Sequence, residues 1–383
     1  MIEARALHPI LAIHAAGATD IGRARDHNED AILVRPDLRL WLVADGAGGH
    51  NAGNVASSLA VASITNHFEA TERASRVQPD VDRFGIATGA RRLSAAIRKA
   101  NRDIVEISRS AKKYGGMGST VVAVSVAARS STLHVAHVGD SRCYRLRAGR
   151  LERLSQDHSL LNDVIEVYPE LTDEQVAKLP RKVVTRALGL EESVRVTVRS
   201  YEVAAEDVYL LCSDGLTGEL PDEQIRRVLT LPEPPTVLVE RLIRMANEAG
   251  GGDNIAAVVL LFEVSATPAE DAGPEVALRL ESEPDAGPAF DAEVSDAAPP
   301  PRRQTVSAPE ILLLGIESDV DPEEAAFRVV PTESATSGLF RALGDILPPR
   351  RPPPHPATCV SCHEALAQEG AFCPRCGARQ PPA

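Results

Sequence analysis

A layered α/β domain is the fold class that the sequence predicts for residues 8–264 of this 383-residue chain. Three observations predict it. Two early stretches repeat apolar residues at the three-four spacing of amphipathic helices. A series of short apolar runs, bounded by Gly, Pro, Asp and Asn, reads as strands. Asp-Gly or Gly-Asp pairs recur at the ends of the most apolar runs, as expected where strands of one sheet system share an edge. Long helices among many strands give layers.

In order, His8 to Asp20 predicts a first strand, and Ala31–Val34 and Leu38–Ala44 a strand pair turned at Pro36-Asp37. A helix starts near Asn54 with Ala60, Val61, Ile64 and Phe68 on one face, and Thr71 to Asp82 reads as a polar loop. A second helix carries Leu93, Ile97, Ala100, Ile104 and Ile107. Val121–Ala127, Thr132–Val138 and Arg142–Leu146 read as successive antiparallel strands. Gln156 to Pro180 interrupts them with a polar, partly helical insertion, a candidate lid. Val194–Val203, Val208–Cys212 and Ile255–Val264 resume the strands, with helices at Asp222–Leu229 and around Val239, Leu242, Ile243 and Ala246.

From 265 to 356 Pro, Glu, Asp and Ala dominate, with too little apolar surface to offset an ordering entropy of ~1–2 kcal/mol per residue, so an acidic disordered linker is predicted. It holds two apolar islands, Glu310–Ile316 and Gly338–Leu343, readable equally as docking motifs or as incidental. Residues 357–380 carry Cys359-x2-Cys362 and Cys373-x2-Cys376. Two such knuckles close a tetrahedral Zn²⁺ site, with Phe372 as cover and Gly377 at the last turn, so a small structural zinc ribbon is expected. Cys143 and Cys212 lie in strand-like runs, and this cysteine usage fits a reducing cytoplasm. The net charge of −13 argues against nucleic-acid or anionic-membrane binding. No apolar run reaches the ~18 residues of a membrane span. The start of the sequence, Met1 to Arg5, lacks signal-peptide character.

The chemistry centres on Leu40–His50, an apolar run that stops at Asp45 and turns through Gly46, Gly48 and Gly49. Asp45 can offer a carboxylate and Gly46 a carbonyl to one cation. Asp140, Asp214 and Asp253 stand in the same setting, and Glu29 and Asp30 open another strand. Converging carboxylates repel, burial raises their pKa values, and hard divalent ions such as Mg²⁺ or Mn²⁺ relieve that cost.

Asp20 through Asp30, Asp45-Gly46-Ala47-Gly48-Gly49, Val138-Gly139-Asp140-Ser141-Arg142, Cys212-Ser213-Asp214-Gly215 and Gly252-Asp253-Asn254 resemble the metal-dependent serine/threonine protein phosphatases of type 2C. The bacterial, kinase-opposing members are the most similar. Gly118-Ser119-Thr120, Gln156-Asp157-His158-Ser159 and Val184–Gly189 extend the likeness over residues 10–263. The resemblance implies an α-β-β-α architecture, an antiparallel β-sandwich flanked by helices. It implies two to three Mn²⁺ or Mg²⁺ ions: Asp45 bridges two, Gly46 binds through its carbonyl, Asp214 and Asp253 complete the second, Glu29 acts through water, and Asp140 with Asp214 holds a third. Arg25 would hold the substrate phosphate, its planar fork matching phosphate oxygens. Hydrolysis of phosphoserine or phosphothreonine would proceed by in-line attack of a hydroxide held between two cations, without a phosphoenzyme. Gln156 to Leu188 corresponds to the flap of bacterial relatives.

One departure stands out: Ala47 occupies the place where animal-type members carry a histidine, and His50 is no substitute for it. Cys373 and Arg379 have the spacing of a cysteine phosphatase, but a knuckle cysteine lies between them. Two rival readings remain, a decayed domain that only senses phosphorylated partners and a nucleic-acid adaptor built on the ribbon. Intact Arg25, Asp45, Asp140, Asp214 and Asp253 oppose the first, and the acidic linker opposes the second. Expected partners are phosphorylated proteins, serine/threonine kinases and a protein recognising the ribbon; the chain is expected to be a cytoplasmic monomer.

Overall fold

The computed structural model describes residues 11–48, 52–127, 129–180 and 183–264. The predicted linker, both apolar islands, the four knuckle cysteines and His50 lie outside the described residues.

Among the described residues eleven strands build two antiparallel sheets. The first has the order β1 (Leu11–Asp20), β11 (Ile255–Val264), β10 (Val208–Cys212), β7 (Arg142–Arg147), β8 (Arg150–Arg153). The second runs β2 (Asp30–Arg35), β3 (Leu40–Ala47), β5 (Val121–Val126), β6 (Thr132–Val138), β9 (Thr197–Glu202), and the short β4 (Gly118–Ser119) pairs with the end of β3. Alternation sends one face of each strand inward. Trp41, Val43, Val122, Val124, Val258, Leu260 and Phe262 fill the space between the sheets.

The outer faces are covered by helices. On the second sheet, α1 (Ala52–Val77) and α2 (Thr88–Ser110) bury Ala56, Ala60, Ile64, Leu93, Ile97 and Ile104 against Leu40, Leu42 and Ala123. On the first, α5 (Asp214–Thr217), α6 (Asp222–Leu229) and α7 (Pro235–Ala249) bury Leu216, Ile225, Leu238 and Leu242 against Leu210, Ala257 and Val259. This is the expected α-β-β-α layering. The insertion carries α3 (Leu160–Val167) and α4 (Asp173–Ala177), and Leu160, Val164, Tyr168 and Leu179 form a small core of its own.

The polar stretch after Thr71 is helix as far as Val77, where a loop was expected. The reason is tertiary. Arg92 of α2 donates to the Phe68 carbonyl, to Thr71 Oγ1 at 2.8 Å and to Ser75 Oγ at 2.9 Å, and it pairs with Glu72 at 3.0 Å. Its guanidinium also lies 4.2 Å from the centre of the Phe68 ring. One side chain thus ties the last two turns of α1 to α2. Replacing Arg92 with Ala should cost about 2–3 kcal/mol in denaturant unfolding and speed amide exchange over residues 69–77, while the first turns of α1 keep their protection.

Candidate active site

One end of the sandwich collects the predicted carboxylates. Asp45, near the end of β3, stands directly opposite Asp30, the first residue of β2, in the antiparallel register. Asp214 follows β10 at the start of α5, Asp253 precedes β11, and Asp140 lies in the turn from β6 to β7. Asp140, Asp214 and Asp253, with Asp157, Glu219 and Arg142, line a cleft of about 230 Å³.

The backbone is fixed by short polar side chains. Thr120 donates its N–H to the Asp45 carbonyl at 2.8 Å and accepts the Asp45 N–H on Oγ1 at 3.1 Å. Thr120 and Ser141 share a hydrogen bond of 2.7 Å that links β5 to the Asp140 turn. Gly46 donates its N–H to the Glu29 carbonyl, and a Cβ at Gly46 would collide with the Gly53 carbonyl oxygen. That contact brings the first turn of α1 against β3. The Glu29 carboxylate accepts from the backbone N–H groups of Gly53 and Asn54 in that same turn, where the helix dipole favours an anion.

Arg25 donates from Nη2 to Asp253 Oδ2 at 2.9 Å and remains half-exposed at the rim. Asn254 braces the loop that carries Arg25 and Glu29. Its Oδ1 accepts the Glu29 N–H at 2.8 Å, and its amide donates to the carbonyls of Ile21 (2.8 Å) and His27 (2.9 Å). His158, at the start of the insertion, accepts the Gly139 N–H on Nδ1 at 3.1 Å, so its proton sits on Nε2 facing Thr197. Burial pushes this imidazole down to about 3.

The carboxylates shift the other way. Burial, then the neighbouring charges of Asp30, Asp214, Asp140 and Asp253, hold Asp45 well above the usual carboxylate range. Burial raises Asp30 to about 8, against a hydrogen bond from Ser213 Oγ of 2.7 Å. Burial raises Glu29 and Asp140 to about 7. Asp30 Oδ1 and Asp140 Oδ1 are buried without a hydrogen-bond partner. Unpaired buried oxygens and mutually repelling carboxylates fit a hard cation. Among the described residues no three His, Cys, Asp or Glu side chains stand together as a ready chelating group. The acids are spread around the cleft, so a cation there would keep much of its water shell, as Mg²⁺ does.

The predicted residues Arg25, Glu29, Asp45, Gly46, Asp140, Asp214 and Asp253 thus all lie at one end of the fold. Sequence reading counted Asp30 among the converging acids but gave it no role of its own, and it passed over Asn254, Ser213 and Thr120 as site residues. Asp30 carried the one available signal, an acid opening an apolar strand beside Glu29. Cys143 and Cys212 are buried, and burial pushes the Cys212 thiol up to about 12, which removes it as a nucleophile.

The family model for protein phosphatase 2C matches residues 21–257. The serine/threonine phosphatase stp of Listeria monocytogenes is 36% identical over 255 residues, which are 66% of this chain and 96% of that protein. The crystal structure of the Mycobacterium tuberculosis serine/threonine phosphatase PstP/Ppp superimposes with a TM-score of 0.57 at 34% identity, covering 66% of this chain and 99% of that one. A structure of the PstP catalytic domain in complex with two manganese ions gives a TM-score of 0.55 at 33% identity, covering 66% and 100%.

Two outcomes follow from the geometry. Asn254→Ala removes three hydrogen bonds in a buried setting. It should lower stability by about 2–4 kcal/mol and release the Glu29 amide to exchange, whereas Asn254→Asp, which keeps the acceptor, should fall between. The second concerns pH. Folded Asp30, Glu29 and Asp140 hold protons that the unfolded chain has lost, so their contribution is full below about pH 4 and fades as pH rises through 7 to 8. Burial lowers His67, His134, His137 and His158, which acts in the opposite sense but mostly below pH 7, where unfolded histidines take up protons. With chelator present, the melting temperature should fall from pH 7 to pH 8; a saturating divalent cation, or Asp30→Asn, should flatten that slope.

Proposed function

The chain belongs to the protein phosphatase 2C family, and from that membership we propose how its carboxylate cleft works. The chain is a serine/threonine phosphatase: it hydrolyses phosphoserine and phosphothreonine in proteins, as its bacterial relatives' names describe. The observation that carries the reading is the ring of buried, mutually repelling carboxylates with Arg25 at its rim.

Asp45, Asp214 and Asp253, the Gly46 carbonyl and, through water, Glu29 would hold a pair of Mn²⁺ or Mg²⁺ ions, and Asp140 with Asp214 a third. When bound, such ions supply positive charge and make water acidic enough to ionise near neutral pH. In the reaction a water oxygen bonds to phosphorus, and the seryl or threonyl oxygen departs and takes up a proton. Arg25 orients the phosphate, because its forked donors match two phosphoryl oxygens. Asp253 and the loop brace Asn254 place that guanidinium at the cleft. Ala47 brings no proton donor beside Asp45, so the leaving group is protonated from water. The insertion from Gln156 to Leu188 borders the cleft through Asp157 and Ser159, which suits a role in substrate choice.

The finer assignments are also our reading. The catalytic domain occupies 8–264, the acidic linker 265–356 and the ribbon 357–380. Cys359, Cys362, Cys373 and Cys376 bind a structural Zn²⁺, a proposal supported by their spacing alone. Phosphorylated proteins, kinases among them, are the partners, and the cytoplasm is the location. Among the described residues no helix is long and apolar enough to cross a membrane.

Phosphate release from a phosphothreonine peptide tests the mechanism. Activity should need Mn²⁺ or Mg²⁺ and vanish with chelator. Asp214→Asn should lower kcat by about 100-fold or more, and Arg25→Lys should raise KM more than it lowers kcat. Turnover that survives both chelation and Asp214→Asn would remove the carboxylate cleft from the chemistry.

A further inference from the structure

Asp140 lines the cleft beside Asp214, yet its own side chain is poorly anchored. Oδ1 is buried without a hydrogen-bond partner, and the carboxylate takes a hydrogen bond from its own backbone N–H. Its direction is therefore set by the backbone of the β6–β7 turn, Gly139-Asp140-Ser141. Gly139 is the demanding residue of that turn. Its φ of +103° suits glycine, and a Cβ there would meet Thr120 Cγ2 at 2.6 Å.

Both peptide groups of Gly139 are taken by one residue. His158 accepts the Gly139 N–H on Nδ1 at 3.1 Å, and its own backbone N–H donates to the Gly139 carbonyl at 2.9 Å. The imidazole is fixed in turn. Its Nε2–H donates to Thr197 Oγ1 at 2.9 Å. It also stacks on His137, with ring centres 4.6 Å apart and planes 17° from parallel. His137 Nε2 donates to the Gln156 carbonyl at 2.7 Å, and a carbonyl only accepts, so that tautomer is fixed as well. Between these two residues Asp157 takes Arg142, 2.7 Å from Nη2 and 3.0 Å from Nε. Residues 137, 139 and 142 around Asp140 are thus each held by one member of the run Gln156-Asp157-His158. Burial lowers both imidazoles, so Nδ1 of His158 stays an acceptor at neutral pH. An apolar side chain could fill the same space, but it would leave the buried Gly139 N–H unpaired.

We propose that His158 is a positioning residue for Asp140. By accepting the Gly139 N–H on Nδ1 it fixes the peptide that aims the Asp140 carboxylate into the cleft, and so sets the affinity for the ion that Asp140 and Asp214 would share. This role rests on the assignment of an ion to Asp140 under the proposed function. Ions of the Mg²⁺ kind demand near-ideal octahedral geometry, so a slackened turn costs ion affinity before it costs folding.

Two substitutions separate this role from space filling. His158→Asn sets an amide oxygen close to where Nδ1 lies and keeps the acceptor. His158→Gln is nearer to histidine in size and reaches Thr197, but gives Gly139 no acceptor. Both lose the stack on His137, so the pair differs chiefly in the Gly139 bond. On the full chain in chelator, the Gly139 amide should exchange about tenfold faster in His158→Gln and within about threefold of the unaltered chain in His158→Asn. Calorimetric titration with Mn²⁺ alone should find the site that Asp140→Asn weakens loosened about tenfold in His158→Gln and little changed in His158→Asn. Raising Mn²⁺ should restore the kcat of His158→Gln on a phosphothreonine peptide and not that of Asp140→Asn. Imidazole nitrogen NMR of the unaltered chain should find the His158 proton on Nε2.

Exchange or Mn²⁺ affinity that follows side-chain size, with His158→Gln near the unaltered chain and His158→Asn impaired, overturns the proposal. Equal behaviour of the two variants does the same, as does a His158 proton on Nδ1. Unchanged Mn²⁺ affinity in Asp140→Asn is a different failure: it removes the ion from Asp140, and the positioning role with it, whatever the order of exchange.

Discussion

Two like charges meet across a strand pair, and much of this structure exists to make that tolerable. Asp30 and Asp45 are direct cross-strand partners, an arrangement that ordinarily destabilises a sheet. A slip of one residue would separate them. The same slip would turn Leu40, Leu42 and Ala44 away from α1 and Trp41 and Val43 away from the inter-sheet core. Apolar burial on both faces of β3 sets the register, and the register forces the carboxylates together. Burial and mutual repulsion raise both acids above the usual carboxylate range, and a bound cation would offset the same repulsion.

The remaining carboxylates are brought in by polar side chains that bridge the two sheets. Ser213, at the end of β10, donates to Asp30 of the other sheet and accepts the Ala256 N–H at 2.9 Å. Asn254 ties the start of β11 to the loop before β2. Thr120 and Ser141 join β5 to the turn before β7. Each of these side chains is buried and paired, which is the condition under which a buried polar group positions its neighbours without a net penalty. The cleft is held by its supports before any ligand arrives.

Legibility in the sequence followed burial. Strands such as Val208–Cys212 and Ile255–Val264 were readable because apolar runs bounded by Gly and Asp have few other uses, and both bounds held. Asp45, Asp140, Asp214 and Asp253 were readable because acids next to glycine at strand ends are distinctive. The last turns of α1 were not, since Thr71, Glu72 and Ser75 look like loop until Arg92, seventeen residues beyond Ser75, satisfies them. Asn254 and Ser213 were visible only as parts of motifs. Their roles depend on partners more than 180 positions away, and local composition carries no trace of those partners.

The two ends of the sandwich make opposite electrostatic demands, and α1 spans both. Its first turn gives N–H groups to Glu29, while its last turn forms a wall of an arginine-rimmed groove. With a screening length of ~8 Å at physiological salt, each surface acts only on chain close to it. A phosphate entering the carboxylate cleft meets negative charge that the arginines of the far end are too distant to offset, so Arg25 and the cations the cleft would hold must do so locally.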